Sequence, residues 1–179
     1  IQMASGPSVS ANLEEAARWI EEAVTQQAQL VVLPEYFCIM GMKDTDKLAV
    51  REHPGEGPIQ KFLSDTAKRH RIWLVGGSVP LATSDPNKVY NSCLVYADNG
   101  ELAARYDKIH LFGLQLGNEH YAEEKTIKAG DKVVTVDSPF GRMGLSICYD
   151  LRFPELFRNM NKVDIILAPA AFTDRKSTR

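Results

Sequence analysis

No stretch of this chain holds the roughly 18 to 20 consecutive apolar residues that a membrane-spanning helix needs, and nothing near its start has the charged, apolar and small-residue order of a secretory signal. A cytoplasmic protein without membrane contact is the expectation. Cysteine is scarce: Cys38, Cys93 and Cys148 are an odd number with no CxxC pair, which suggests neither a disulfide framework nor a zinc knuckle. The four histidines, His53, His70, His110 and His120, show no HxxxH or paired spacing, so no metal site is expected and these are read as surface or core residues. Neither charge dominates, with 21 Lys and Arg against 23 Asp and Glu and a net charge of -2, so no basic field is present to hold a nucleic-acid backbone. Internal repeats and low-complexity segments are missing too. What is present is an ordinary globular composition, 44% hydrophobic and 25% charged over 179 residues, sufficient for one domain. The chain opens at Ile1 without an initiator Met, inside an apolar run, and is expected to begin partway through a strand.

Periodicity orders the elements. Leu13, Ala16, Ala17, Ile20, Ala23 and Val24 recur at helical spacing over residues 12–28, with Asn12 and Glu15 placed as a capping pair. Leu30 to Leu33 is a continuous apolar run stopped by Pro34, as in a buried strand, and Glu35 falls at its end. Pro58 starts a second helix to about His70, and Ile72 to Val79 reads as a strand. Lys88 to Ala97 and Glu101 to Tyr106 are β-like and joined by Asp98-Asn99-Gly100, a hairpin signal, with Lys108 just beyond. Residues 111–131 lack clean periodicity and hold Gly113, Gly117, Asn118 and Gly130, which reads as a long functional loop. Val133 to Val136 and Arg142 to Ile147 are two further strands, the second ended by Cys148; a short helix from Pro154 to about Asn159 and a buried strand from Val163 to Ala168 follow. Helices interspersed with strands and hairpins imply an α/β sandwich with mixed sheets.

Glu35, Lys108 and Cys148 share one address, immediately past the C-terminal end of a strand, where α/β folds gather their active sites. A thiol with a carboxylate and an ammonium nearby is equipped for acyl transfer: the carboxylate takes the thiol proton and the ammonium holds negative charge. Taken singly, each has a plainer reading, as a small buried hydrophobe, a loop acid and a solvated lysine. A thiol of lowered pKa beside Lys108 is also a candidate redox sensor, although no second cysteine lies close by to resolve it.

The local contexts carry more. Leu33-Pro34-Glu35-Tyr36-Phe37, Tyr106-Asp107-Lys108-Ile109-His110-Leu111-Phe112 and Ile147-Cys148-Tyr149-Asp150-Leu151-Arg152-Phe153-Pro154-Glu155-Leu156, in this order and at these separations, resemble the nitrilase superfamily of carbon-nitrogen hydrolases. The resemblance implies an α-β-β-α sandwich whose subunits commonly pair as homodimers, and a Glu-Lys-Cys triad working without metal or organic cofactor. Glu35 matches the general base, Lys108 the cationic stabiliser and Cys148 the nucleophile. Glu123, in Tyr121-Ala122-Glu123-Glu124, matches a second glutamate that braces the lysine, with Glu124 the competing match. The backbone N–H of Tyr149 is the oxyanion donor that goes with Lys108. Phe172 either lines the pocket or is a core aromatic, and Arg152 with Glu155 reads better as a structural ion pair than as substrate-binding charge.

The Cys-Tyr-Asp-Leu-Arg-Phe-Pro-Glu-Leu run looks most like the small-acid amidases, including omega-amidase and deaminated-glutathione amidase, with a small-molecule amide as substrate. A nitrilase or an N-carbamoyl hydrolase is the alternative within the superfamily. The family pattern continues past Thr173. Residues 1–173 are therefore expected to form one domain incomplete at its C-terminus, followed by a charged tail, residues 174–179, outside the pattern, and a truncated inactive fragment is the alternative to an enzyme.

Overall fold

Leu94 and Tyr96 face one apolar core while Cys93 and Val95 between them face another, so the strand that carries them is buried on both sides. The computed structural model describes residues 1–116 and 119–172, and of residues 115, 116 and 119–121 the main chain only. The expected tail 174–179, Thr173, Gly117, Asn118 and the side chain of His120 lie outside these. The first half of the chain forms α1 (Val9–Thr25), β1 (Leu30–Val32), α2 (Asp46–Ala49), α3 (Pro58–His70), β2 (Trp73–Val75), β3 (Val79–Ala82) and β4 (Val89–Tyr96). The second half adds β5 (Leu102–Asp107), β6 (Gly113–Leu116), β7 (Glu119–Ala122), β8 (Thr135–Ser138), β9 (Gly141–Leu145), α4 (Pro154–Asn159) and β10 (Ile165–Leu167).

The larger sheet has five strands. β1 runs parallel to β2, and β4 pairs antiparallel with β2 and β3 on one edge and with β5 on the other. One face meets α1 and α3, where Ala16, Ile20, Ile59, Leu63 and Ala67 pack on Val31, Leu74, Leu81 and Leu94. The opposite face meets a second sheet, in which β9 lies between antiparallel β8 and parallel β10. There Met143, Leu145 and Leu167 pack on Val75, Cys93, Val95 and Tyr106, with Leu156 and Met160 from around α4 joining the same core. Burying a large apolar side chain contributes about 1.5–3 kcal/mol, so both faces of the central sheet stabilise the fold. The result is the mixed α/β sandwich expected from the pattern. No helix among the described residues is long and apolar enough to cross a membrane.

These local expectations differ from the structure. Helix α1 starts at Val9 with Ser8 as its cap, and Asn12 is buried inside it. The Asn12 side chain instead ties loops together, donating to the carbonyls of Gly6 (2.8 Å) and Cys38 (2.9 Å) and accepting from Gly6 N–H at 2.8 Å. The strand expected over residues 72–79 breaks at Gly76-Gly77, because the chain there presses against Leu33 and Pro34. A Cβ on Gly77, whose φ is +50°, would stand 1.9 Å from the Pro34 carbonyl oxygen, so only glycine fits. The loop expected over residues 111–131 contains a two-stranded ribbon, β6 with β7. Gly113 and Leu114 in it are exposed and Ala122 is buried, and no regular core-facing alternation marks it in the sequence. The short helix α2 also had no clear signal.

Candidate active site

Four side chains converge where the central strands end. Lys108, directly after β5, is held in register by its N–H donating to the Asn91 carbonyl of β4 at 2.9 Å. Its side chain is 1% exposed, and Nζ reaches Glu35 Oε1 at 3.0 Å and Glu123 at 2.9 Å (Oε2) and 3.1 Å (Oε1). Glu35 sits past β1 on a turn braced from beneath, where Tyr36 N–H donates to Ser78 Oγ at 2.9 Å. Glu123 opens a single 3-10 turn, and its carboxylate also accepts the Tyr36 hydroxyl (3.1 Å) and Phe112 N–H (2.8 Å). Glu124 is exposed, so it is Glu123 that joins the cluster.

Cys148 begins the turn after β9 with φ +45°, in the left-handed region that non-glycine residues seldom occupy. Its N–H is tied to Pro169 O at 2.9 Å, and its thiol lies close enough to Glu35 and to the Ala171 N–H for both to act on its proton affinity. The turn is pinned by buried Asp150, which accepts Ile147 N–H (2.9 Å), the Tyr106 hydroxyl (2.7 Å) and His110 N–H (3.0 Å), and pairs with His110 Nδ1 (2.7 Å). A backbone held this way at a strained dihedral aims one side chain into a site.

The electrostatics follow from this enclosure. Burial raises the Glu35 carboxyl above its ordinary range; Lys108 pulls it down, and Glu123 pushes it up again. Burial draws the Lys108 ammonium down, but Glu35 and Glu123 together outweigh it and leave its pKa raised. Burial and then Glu35 push the Cys148 thiol up to about 12, and Lys108 with Ala171 offsets only part of this. The resting thiol is thus protonated and paired with a carboxylate, contrary to the lowered pKa that a redox sensor beside Lys108 would need. Alkylation of Cys148 by iodoacetamide, followed by intact mass, is expected to accelerate without levelling off from about pH 6 to pH 10. A plateau below about pH 8 would mean a resting thiolate.

Tyr149 lies in the same turn, its ring edge-on to Phe112 and Phe153. The first N–H groups of such a turn have no partner within it. Phe172 is 56% exposed and is not a core aromatic. Arg152 and Glu155 are exposed, and Glu155 pairs with Arg158 at 3.3 Å rather than with Arg152. His70 stands 3.9 Å from Glu21, and His110 stacks on Phe153. The described residues contain no group of metal-ligating side chains. Sequence reasoning missed Asn91, whose Nδ2 donates to Glu35 Oε1 at 3.0 Å, and the Ala171 N–H, which donates to Glu35 Oε2 at 3.1 Å. Asn91-Ser92 was a visible signal, since two polar residues interrupt a strand buried on both faces.

Fold and site together form an α/β sandwich that gathers a thiol, two carboxylates and an ammonium where its strands end. Residues 1–178 match the carbon-nitrogen hydrolase family, and the chain belongs to that family. It is 40% identical over 180 residues to the deaminated glutathione amidase of Synechocystis sp., which covers 97% of this chain and 65% of that protein. To an omega-amidase of Homo sapiens it is 41% identical over 176 residues, covering 96% and 62% respectively. Among solved structures, Nit3 of Saccharomyces cerevisiae, a member of branch 10 of the nitrilase superfamily, superposes with a TM-score of 0.84 at 32% identity, covering 98% of this chain and 64% of that one. The chain thus spans somewhat under two thirds of the length of these relatives.

Proposed function

We propose that the protein hydrolyses the carbon-nitrogen bond of small amide acids through a thioester on Cys148. The observation that carries this reading is the enclosed bridge of Lys108 between Glu35 and Glu123, with the Cys148 thiol beside Glu35. The amidase names of its relatives support the reaction class.

In attack, the Cys148 sulfur bonds to the amide carbon as its proton passes to Glu35. Lys108 then matters twice. While Glu35 is ionised, its Oε1 holds one Lys108 N–H; once protonated it holds that N–H more weakly, and the ammonium is released toward the oxyanion as the charge develops. Glu123 keeps Lys108 in place throughout, and Tyr149 N–H is the second oxyanion donor. Protonated Glu35 next delivers its proton to the nitrogen as the C–N bond breaks and ammonia leaves. Water adds to the thioester with its proton going to Glu35, the C–S bond breaks, and that proton returns to sulfur, leaving a carboxylic acid. No step calls for a metal or organic cofactor. A cytoplasmic homodimer is the setting proposed, on the family's habit of pairing subunits.

The test is ammonia release from a panel of small omega-amide acids, set beside an aliphatic nitrile and an N-carbamoyl amino acid. Turnover of the amide acids with little on the other two is expected. Preference for the nitrile or the carbamoyl compound would move the protein to another branch of the superfamily.

A further inference from the structure

Lys47, on α2, places a second ammonium at the wall of the site, and the mechanism above does not use it. Its Nζ lies over the Tyr36 ring, 5.5 Å from the centroid, and 3.4 Å from Thr126 Oγ1. Both neighbours belong to the site's frame: Tyr36 follows Glu35 and gives its hydroxyl to Glu123, and Thr126 N–H donates to the Glu123 carbonyl at 3.0 Å. Lys47 therefore stands one aromatic ring away from the carboxylate that braces Lys108.

Two physical facts make this cation unusual. It is half-buried, yet it forms no ion pair with a carboxylate among the described residues. An ammonium has three N–H donors, and a hydroxyl and a ring face leave some of that capacity open. Burial lowers its proton affinity, with Asp44 and Glu123 pulling the other way, so it feels the charges of the site. The second fact concerns net charge. Ionised Glu35 and Glu123 against one Lys108 leave the cluster with an excess negative charge, which would repel an anionic substrate without another cation.

We propose that Lys47 anchors the substrate's carboxylate: a small amide acid lies with its amide carbon at Cys148 and its far carboxylate on Lys47 Nζ, beside the Tyr36 ring. This rests on the amidase reading and names its substrate class as short linear amides ending in a carboxylate. The plainer role of Lys47 is to clip α2 onto Tyr36, and the two roles predict different kinetics.

The experiment compares wild type, Lys47→Met and Lys47→Arg on succinamate and glutaramate, and on the uncharged butyramide. For Lys47→Met, KM for the two acids relative to KM for butyramide is expected to rise about 10- to 100-fold, with kcat little changed, and Lys47→Arg is expected to recover most of the loss. In parallel, succinate binding to the Cys148→Ala protein is measured by calorimetry with and without Lys47→Met, and should weaken by a similar factor. Equal losses on charged and uncharged amides, or no change in any of them, would overturn the assignment. If wild type turns over none of the amides, the amidase reading fails, while the succinate titration still tests Lys47 by itself.

Discussion

Replacing Cys148 with alanine is expected to reduce ammonia release by about four to six orders of magnitude, to the background of the buffer, while leaving the fold intact. The size of the effect follows from the role proposed for it: without the sulfur no thioester forms, and Glu35 and Lys108 have no attacking atom to serve. The fold survives because Cys148 is only half-buried, its Cβ is retained, and alanine meets the same backbone requirement at φ +45°. The other two cysteines offer no substitute. Cys38 and Cys93 are fully buried in apolar cores, where burial raises the thiol of Cys38 and pushes that of Cys93 up to about 12. Ammonia release measured beside a thermal melt separates the chemical effect from a structural one. Equal release by wild type and the alanine variant would end the thiol mechanism.

Lys108→Met is the second large effect, and it reaches both stability and activity. The methionine keeps much of the side chain's volume but removes the cation between Glu35 and Glu123, leaving two buried carboxylates face to face. Breaking a buried ion pair in this way costs about 3–5 kcal/mol. Loss of one oxyanion donor lowers kcat by a further factor of about 100 to 1,000 in whatever protein remains folded. The pH dependence has a definite sign. Glu35 already holds its proton more tightly in the folded state than an ordinary glutamate, and without Lys108 that difference widens. A raised folded value stabilises most below the unfolded pKa of about 4.3 and is lost as pH rises through the folded value. The gap in urea midpoint between wild type and Lys108→Met should therefore be widest at alkaline pH and narrow as pH falls toward about 5. A gap that stays constant over that range would show that the carboxylates are not what Lys108 stabilises.

Legibility in the sequence depended on what each residue was doing. α3 and α4 begin at Pro58 and Pro154 as expected, because proline at a first helical turn marks its position without tertiary help. Glu35, Lys108 and Cys148 could be found because each falls just past a segment that reads as a strand, although only the one before Glu35 is a continuous apolar run. Glu123 could be matched only through family resemblance, since the ribbon before it, exposed at Gly113 and Leu114 and buried at Ala122, shows no period in the sequence. Asn12 shows the opposite failure: it has the composition of a cap, yet its side chain spends its hydrogen bonds on Gly6 and Cys38. Ala171 had no signal, because what it contributes is a main-chain N–H, and every residue except proline carries one. Lys47 likewise reads as an ordinary surface lysine until the fold lays it over Tyr36.

That Ala171 amide touches both halves of the proposed acid-base pair, donating to Glu35 Oε2 and lying close to the Cys148 sulfur. Proton transfer between the two groups, or acylation of the sulfur, must alter the field at this single nitrogen. The segment after β10 thus carries a built-in spectroscopic reporter: one backbone resonance, remote from every catalytic motif in the sequence, that registers the chemical state of the nucleophile and its base together.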